Sequence, residues 1–189
     1  MLTDCTKSSG PSSVNGQAID QTTGKGVPYA VIALLSQNNN VVGAGGMLQL
    51  QTATADINGN FSFSFNYSSG NNYTVAAQAL YYLNDGNAFA TLSAGKNNDV
   101  KIKMVPEGFV RFYLVNVPPI DTLSFFGLAD FNDDPNYTFL YKNVSFVVYG
   151  YGNTMAHFTY FLNYTGVNHS YSDSIYLKAL DTVNFTINY

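Results

Sequence analysis

Hydrophobic and polar residues alternate one for one along much of this chain. Phe61, Phe63 and Phe65 are interleaved with Ser62, Ser64 and Asn66, the period-two pattern of a strand with one buried and one wet face. The pattern recurs at Tyr73, Val75, Ala77, Ala79 and Tyr81, at Val100, Ile102 and Met104, and at Val110, Phe112 and Leu114. It returns at Phe158, Tyr160 and Leu162, and again at Val183, Phe185, Ile187 and Tyr189, which alternate with Thr182, Asn184, Thr186 and Asn188. Turn chemistry separates the runs, at Thr23-Gly24-Lys25-Gly26, Ser68-Ser69-Gly70 and Asn84-Asp85-Gly86. Asn58-Gly59 predicts a two-residue hairpin with positive φ at both positions, and Gly150-Tyr151-Gly152-Asn153 predicts a hairpin joining 144–149 to 154–162. Short strands at near-regular spacing predict an all-β fold of antiparallel sandwiches.

Pro106-Glu107-Gly108 divides the pattern, because proline cannot donate to a ladder and glycine loosens the chain after it. The expected organisation is a flexible tether over 1–13, one β-sandwich over 14–106 and a second over 107–189. The tether rests on the polar stretch Thr6 to Ser13, which is too poor in apolar residues to pack.

Three segments of the first half carry a resemblance: Val14-Asn15-Gly16-Gln17-Ala18-Ile19-Asp20, then Thr23 to Ile32 with its Gly24-Lys25-Gly26-Val27-Pro28, then Thr52 to Phe63 with Asp56-Ile57-Asn58-Gly59. In order and spacing this region, Val14 to Val105, resembles the carboxypeptidase regulatory-like domain. That resemblance implies a transthyretin-like sandwich and a non-catalytic module, since the family lacks the zinc ligands of the peptidases it accompanies. The Gly-rich stretch Val41 to Gln51 departs from the pattern and is expected to be an extended hairpin. Gly108 to Val117 and Tyr171 to Tyr189 are similar to the back half of Bacteroidota lipoproteins.

Composition narrows the address. Eight Lys and Arg against twelve Asp and Glu give a net charge of −4, and the basic residues are scattered, which excludes the phosphate-seeking surface of a nucleic-acid binder. Only 11% of residues are charged, against about 25% in an ordinary soluble domain, while Tyr, Phe, Asn, Ser and Thr abound, a bias common in secreted β proteins. The single cysteine, Cys5, rules out an internal disulfide. Leu2-Thr3-Asp4-Cys5 resembles the processing site of a bacterial lipoprotein, in which the cysteine takes the lipid; the other reading is a thiol in a loose tail. The charged and apolar parts of such a signal do not precede Leu2, so the lipoprotein reading expects a chain truncated or restarted at Met1.

Candidate chemistry is thin. His157 and His169 are the two histidines, and neither belongs to a zinc-binding spacing; His157 is expected on a strand face and His169 in an exposed turn. No nucleophile elbow or phosphate loop occurs, so no catalytic residue and no cofactor are assigned. Asp130, Asn132 and Asp134 match the first three ligand positions of a calcium loop, but Pro135 stands where glycine is required and Tyr141 where the closing glutamate belongs. Calcium therefore competes with a plain solvated loop. Within the run of tyrosines from Tyr137 to Tyr164, Tyr141, Tyr151 and Tyr164 are the candidate binding surface, with half-buried packing as the other reading. Thr122, Ser174 and Thr182 each follow an aspartate and precede an apolar residue, like the sites Bacteroidota O-glycosylate; chance composition gives on the order of one such triplet. Asn-x-Ser/Thr sequons, among them Asn66, Asn72, Asn143 and Asn184, suit an N-glycosylated surface protein instead.

These readings converge on a non-enzymatic, lipid-anchored protein of the cell envelope, an outer-membrane lipoprotein whose partners are the membrane and a glycan or envelope protein. The alternative is a secreted, glycosylated adhesin or a structural subunit of an extracellular filament.

Overall fold

Strand-forming alternation dominates the observed structure, a computed structural model that describes residues 9–38, 47–83, 88–117, 122–128, 130–132, 143–164 and 167–189. Thirteen strands lie among the described residues. The first seven are β1 (Ser9–Asp20), β2 (Val31–Asn38), β3 (Leu48–Thr54), β4 (Asn60–Ser68), β5 (Asn71–Gln78), β6 (Tyr82–Leu83) and β7 (Phe89–Leu92). They are followed by β8 (Asn97–Val115), β9 (Thr122–Leu128), β10 (Val144–Tyr151), β11 (Thr154–Tyr164), β12 (Val167–Leu177) and β13 (Thr182–Asn188). The chain divides into two compact units, Met1–Val105 and Pro106–Tyr189.

In the first unit β1 lies between β4, antiparallel to it, and the first half of β8, parallel to it. The facing sheet runs β3-β2-β5-β7, all antiparallel. Alternation explains the core between them: Val14, Ala18, Ile32, Leu34, Phe61, Phe65, Tyr73, Val75, Ala77, Ile102 and Met104 are buried, one residue in two along each strand. The second unit repeats the plan. Its opening strand is the second half of β8, antiparallel to β10 and parallel to the closing strand β13. Its other sheet runs β12-β11-β9, as β7-β5-β2 runs in the first unit. Val110, Phe112, Leu114, Val148, Phe158, Leu177 and Ile187 form its core. The two sandwiches share one topology among the described residues, with β3 as an extra edge strand and the two-residue β6, paired to β8, as a further addition in the first. Each also contains a parallel pair, where pure antiparallel sheets were expected.

Several expectations are corrected. The tether does not extend to Ser13: from Ser9 the chain is β1, pairing Ser9 with Ser68 and Ser13 with Ser64. Pro11 is tolerated there because β8 joins β1 only from Ser13 onward, leaving one side of β1 open at the proline. Pro106 does not end a ladder, since β8 continues through it. The missing donor falls where the strand changes partners, after Met104 pairs with Asp20 and before Glu107 pairs with Tyr151. Gly108 does not loosen the chain; a Cβ there would come within 2.7 Å of the Leu177 side chain, so glycine permits close packing.

Neither predicted hairpin forms a ladder. The turn at Asn58-Gly59 joins β3 to β4, which belong to different sheets, and Gly152-Asn153 joins β10 to β11 in the same way. The Asp56 carboxylate accepts the amides of Asn58 and Asn60, both at 2.8 Å, and folds the first turn with only Gly59 left-handed, at φ +77°. A Cβ on Gly59 would strike the Ala18 carbonyl oxygen and lie 2.8 Å from the Val27 nitrogen. Gly59→Ala is therefore expected to cost about 2 kcal/mol, from the left-handed φ and the displaced backbone. Urea denaturation checks this, and a loss below about 0.5 kcal/mol would show that the turn relaxes freely.

Candidate functional site

Three surfaces carry the polar and aromatic groups that could meet a partner. The first is the outer face of β4-β1-β8 in the first unit. Strand register places Ser64, Ser13 and Asn97 on one rung, Ser62, Asn15 and Asp99 on the next, and Asn60, Gln17 and Lys101 on the third. Ser13 donates its hydroxyl to Asn97 Oδ1 at 2.7 Å, and Gln17 Nε2 donates to the Asn58 carbonyl at 2.9 Å. Two shallow hollows, of about 570 and 470 Å³, meet at Asn15, Gly16 and Asn60.

The second surface is the opposite sheet of the same unit. Val31, Ala33, Leu35, Thr74, Ala76, Phe89 and Thr91 alternate with the buried Ile32, Leu34, Tyr73, Val75, Ala77 and Leu92, so they point outward. Tyr29 and Leu80, just beyond the ends of β2 and β5, are 64% and 76% exposed; Tyr81 and Phe89 are each 53% exposed. Tyr29 and Tyr81 are held left-handed, at φ +58° and +65°, a conformation non-glycine residues seldom adopt without a structural demand. Sequence alternation had placed Tyr81 in line with Tyr73, Val75 and Ala77. It leaves that face because β5 ends at Gln78 and the chain reverses its φ at Tyr81.

The third surface is in the second unit. His157 sits on β11 as expected and is exposed; its Nδ1 lies 2.7 Å from Asp130 Oδ2, and its amide donates to the same oxygen at 2.9 Å. These bonds from His157 hold the Asp130 carboxyl below its ordinary range. His169 is exposed, but it lies within β12 and not in a turn. Tyr160 stacks on Tyr171 with ring centroids 5.2 Å apart and planes 14° off parallel. Burial, then the Asp173 charge and Tyr171, push its phenol upward.

The residues expected to act do not come together as one site. Tyr151 is 45% exposed at the end of β10, Tyr164 is described by its place in β11, and Tyr141 lies outside the described residues. Tyr149 and Tyr160 are packing residues, against Phe109 and against Phe158 and Tyr171. Asp130 and Asn132 are described, with Asp130 bonded to His157 and the Asn132 amide donating to the Tyr149 carbonyl at 2.9 Å; Asp134 lies outside. Among the described residues no group of three or more His, Cys, Asp or Glu could hold a metal ion. Ser174 and Thr182 share a geometry: each donates its amide to the side chain of the preceding aspartate, at 2.7 and 2.8 Å. Thr122 opens β9, and Cys5 lies outside the described residues.

This architecture is that of an all-β protein of two sandwich units. No protein-family model matches the chain, and no curated protein does. Among solved structures it is similar to the Bacillus anthracis TIE protein, with 10% identity over 94% of this chain and a TM-score of 0.41. The chain spans about a third of that protein, 34%. It is also similar to GBS52, the minor pilin of Streptococcus agalactiae, with 14% identity, coverage of 93% of this chain and 94% of that one, and a TM-score of 0.42. The shaft pilin SpaA of Lactobacillus rhamnosus GG is similar at 10% identity, 95% and 97% coverage and a TM-score of 0.36.

Proposed function

We propose that this chain is a non-catalytic structural module of the cell envelope, held at the membrane by lipid on Cys5 and built to project its surfaces outward. The observation that carries the reading is the repeated plan: one sandwich topology built twice, with β8 both closing the first unit and opening the second. Such a chain adds surface by repetition, and its functional groups are spread over sheet faces where a catalyst would converge them in a cleft. The low charge and the abundance of Asn, Ser and Thr fit a protein outside the cytoplasm. The first unit is read as a carboxypeptidase regulatory-like sandwich, on the three segments between Val14 and Phe63. Ser174 and Thr182, with their matching aspartate geometry, and Thr122 are the sites proposed for O-glycosylation.

Expression in cells with the upstream leader tests the anchor. The wild-type protein is expected in the detergent phase and labelled on intact cells, and Cys5→Ala is expected to move most of it to the aqueous phase. Equal partitioning of the two forms overturns the lipid anchor. Sedimentation of both forms as polymers would replace it with the filament reading.

A further inference from the structure

One end of the first unit gathers exposed apolar side chains and almost no charge. Strand register defines that end. Ser9 of β1 pairs with Ser68 of β4, and the Ser68 amide donates to the Tyr73 hydroxyl at 2.8 Å. Tyr73 shares a rung of the facing sheet with Leu92, Ser36 and Leu48. The first three of that rung are buried, but Leu48, on the edge strand β3, is 65% exposed, and Met47 and Leu50 beside it are exposed as well. Leu50 is the extra residue of a β-bulge, because Gln51 pairs with Leu34 and Gln49 with Leu35. Among the described residues of 9–13, 34–38, 47–51, 64–74 and 91–97, which meet at this end, Lys96 alone is charged, and it is exposed. Its carbonyl accepts the Ser12 hydroxyl, which fixes it beside the start of β1. Asp20, Lys25, Asp56 and Lys103 all lie toward the opposite end, where β1 finishes and β4 begins.

Apolar side chains grouped in solvent on a monomer mark a contact site. The bulge blunts the β3 edge, so these residues do not offer a ladder to a strand of another copy. Three side chains also fall far short of the roughly 20–30 residues a side that a stable protein interface uses. The chain itself points to a bilayer. Four residues separate Ser9 from Cys5, a reach of at most about 14 Å in any conformation. A lipid on Cys5 therefore brings a bilayer surface to the end where Met47, Leu48 and Leu50 are uncovered and where no described residue is acidic. An exposed lysine at that end suits anionic headgroups. We propose that this end of the first unit seats on a phospholipid surface, with Met47, Leu48 and Leu50 entering the boundary between headgroups and acyl chains and Lys96 lying among the phosphates. The proposal rests on the lipid anchor and adds what the anchor alone leaves free, namely which end of the unit faces the bilayer. A contact too small to hold by itself becomes effectively intramolecular once the tether is in place.

The chain has one cysteine and no tryptophan, so the full protein can be tested without cellular lipidation. Cys5 is coupled to maleimide-bearing phosphatidylethanolamine in phosphatidylcholine vesicles that contain one-fifth phosphatidylglycerol. With Leu48→Trp, fluorescence is expected to move to shorter wavelength on coupling and to be quenched about twofold by lipids brominated high on their acyl chains, as for a side chain entering the headgroup boundary. With Ile57→Trp, exposed at the opposite end, neither change is expected. Adding Lys96→Glu to Leu48→Trp is expected to weaken the quenching, and unchanged quenching overturns the place given to Lys96. If Leu48→Trp lowers the melting temperature, Met47→Trp takes its place with the same expected result. The proposal is overturned if Leu48→Trp is quenched no more than Ile57→Trp. It is equally overturned if sedimentation of the uncoupled chain finds a dimer that Leu48→Glu dissociates, since the patch would then join two copies. Fractionation of cells carrying Cys5→Ala decides the anchor and chemical coupling decides the docking end, so a failure of one is told apart from a failure of the other.

Discussion

Phe112→Ala is expected to destabilise the second unit by about 4 kcal/mol, the largest loss from any single substitution proposed for this chain. Phe112 is fully buried on β8, and four rings surround it: Phe158 at 5.1 Å, Phe146 at 5.5 Å, Phe185 at 5.9 Å and Phe131 at 6.2 Å between centroids. Three of the four meet it edge-on, at 60° to 76°, the arrangement the ring quadrupole favours. Phe146 and Phe185 are its direct neighbours in register on β10 and β13, so β8 is hydrogen-bonded on both sides where the ring would be lost. That ladder cannot close inward, and the cavity would remain largely open. Phe109, half-buried on the same strand and tilted 47° to Tyr149 with centroids 6.4 Å apart, provides the comparison: Phe109→Ala should cost under about 2 kcal/mol. Urea denaturation followed by tyrosine fluorescence measures both. A Phe112→Ala loss below about 2 kcal/mol would mean that the ring cluster repacks.

The faces of the strands were legible in the sequence because alternation is a local property. Phe61 and Phe65, Ile102 and Met104, and Val110, Phe112 and Leu114 are buried where the pattern puts them. What the next strand does after a turn is not local. Asn58-Gly59 and Gly152-Asn153 reverse the chain as expected, but each delivers it to the opposite sheet, a choice made by core packing and not by the turn residues. Pro106 misled for a related reason. A missing donor interrupts a ladder only where a partner strand needs it, and Pro106 falls between the end of the β1 pairing at Met104 and the start of the β10 pairing at Glu107. The parallel pairing of first and last strands, which closes both units, spans 84 residues in the first and 73 in the second, as between Ser13 and Asn97 or Val110 and Val183, and no local pattern encodes it. A left-handed tyrosine such as Tyr29 cannot be told from residue type either.

Asp20→Ala is expected to cost about 3 kcal/mol, because this buried carboxylate organises the loop between β1 and β2. Asp20 is 4% exposed. Its Oδ1 accepts the amides of Thr22 and Thr23, both at 2.8 Å, and the Thr22 hydroxyl at 2.7 Å, while Oδ2 accepts the Tyr82 hydroxyl at 3.0 Å. Burial alone would raise the carboxyl's pKa, but the bonds from Thr22, Thr23 and Tyr82 together outweigh it and hold the group below its ordinary range. Tyr82 responds in the opposite sense: burial, then the bond to Asp20 and its charge, push the phenol far up, so it remains a donor throughout the accessible pH range. With the folded pKa depressed, the carboxylate's stabilisation is complete above the unfolded group's titration near pH 4, about the ordinary value for aspartate. It is lost as pH falls through the lower folded value. Asp20→Asn preserves the shape without the ionisation and should cost about 1–2 kcal/mol at pH 7. The gap between wild type and Asp20→Asn should therefore narrow steadily as pH falls below about 4. Urea midpoints for both proteins from pH 7 down to about 2.5 measure the gap. Parallel curves across that range would mean that the charge on Asp20 contributes nothing to holding this loop, and that its bonds are those of a neutral acid.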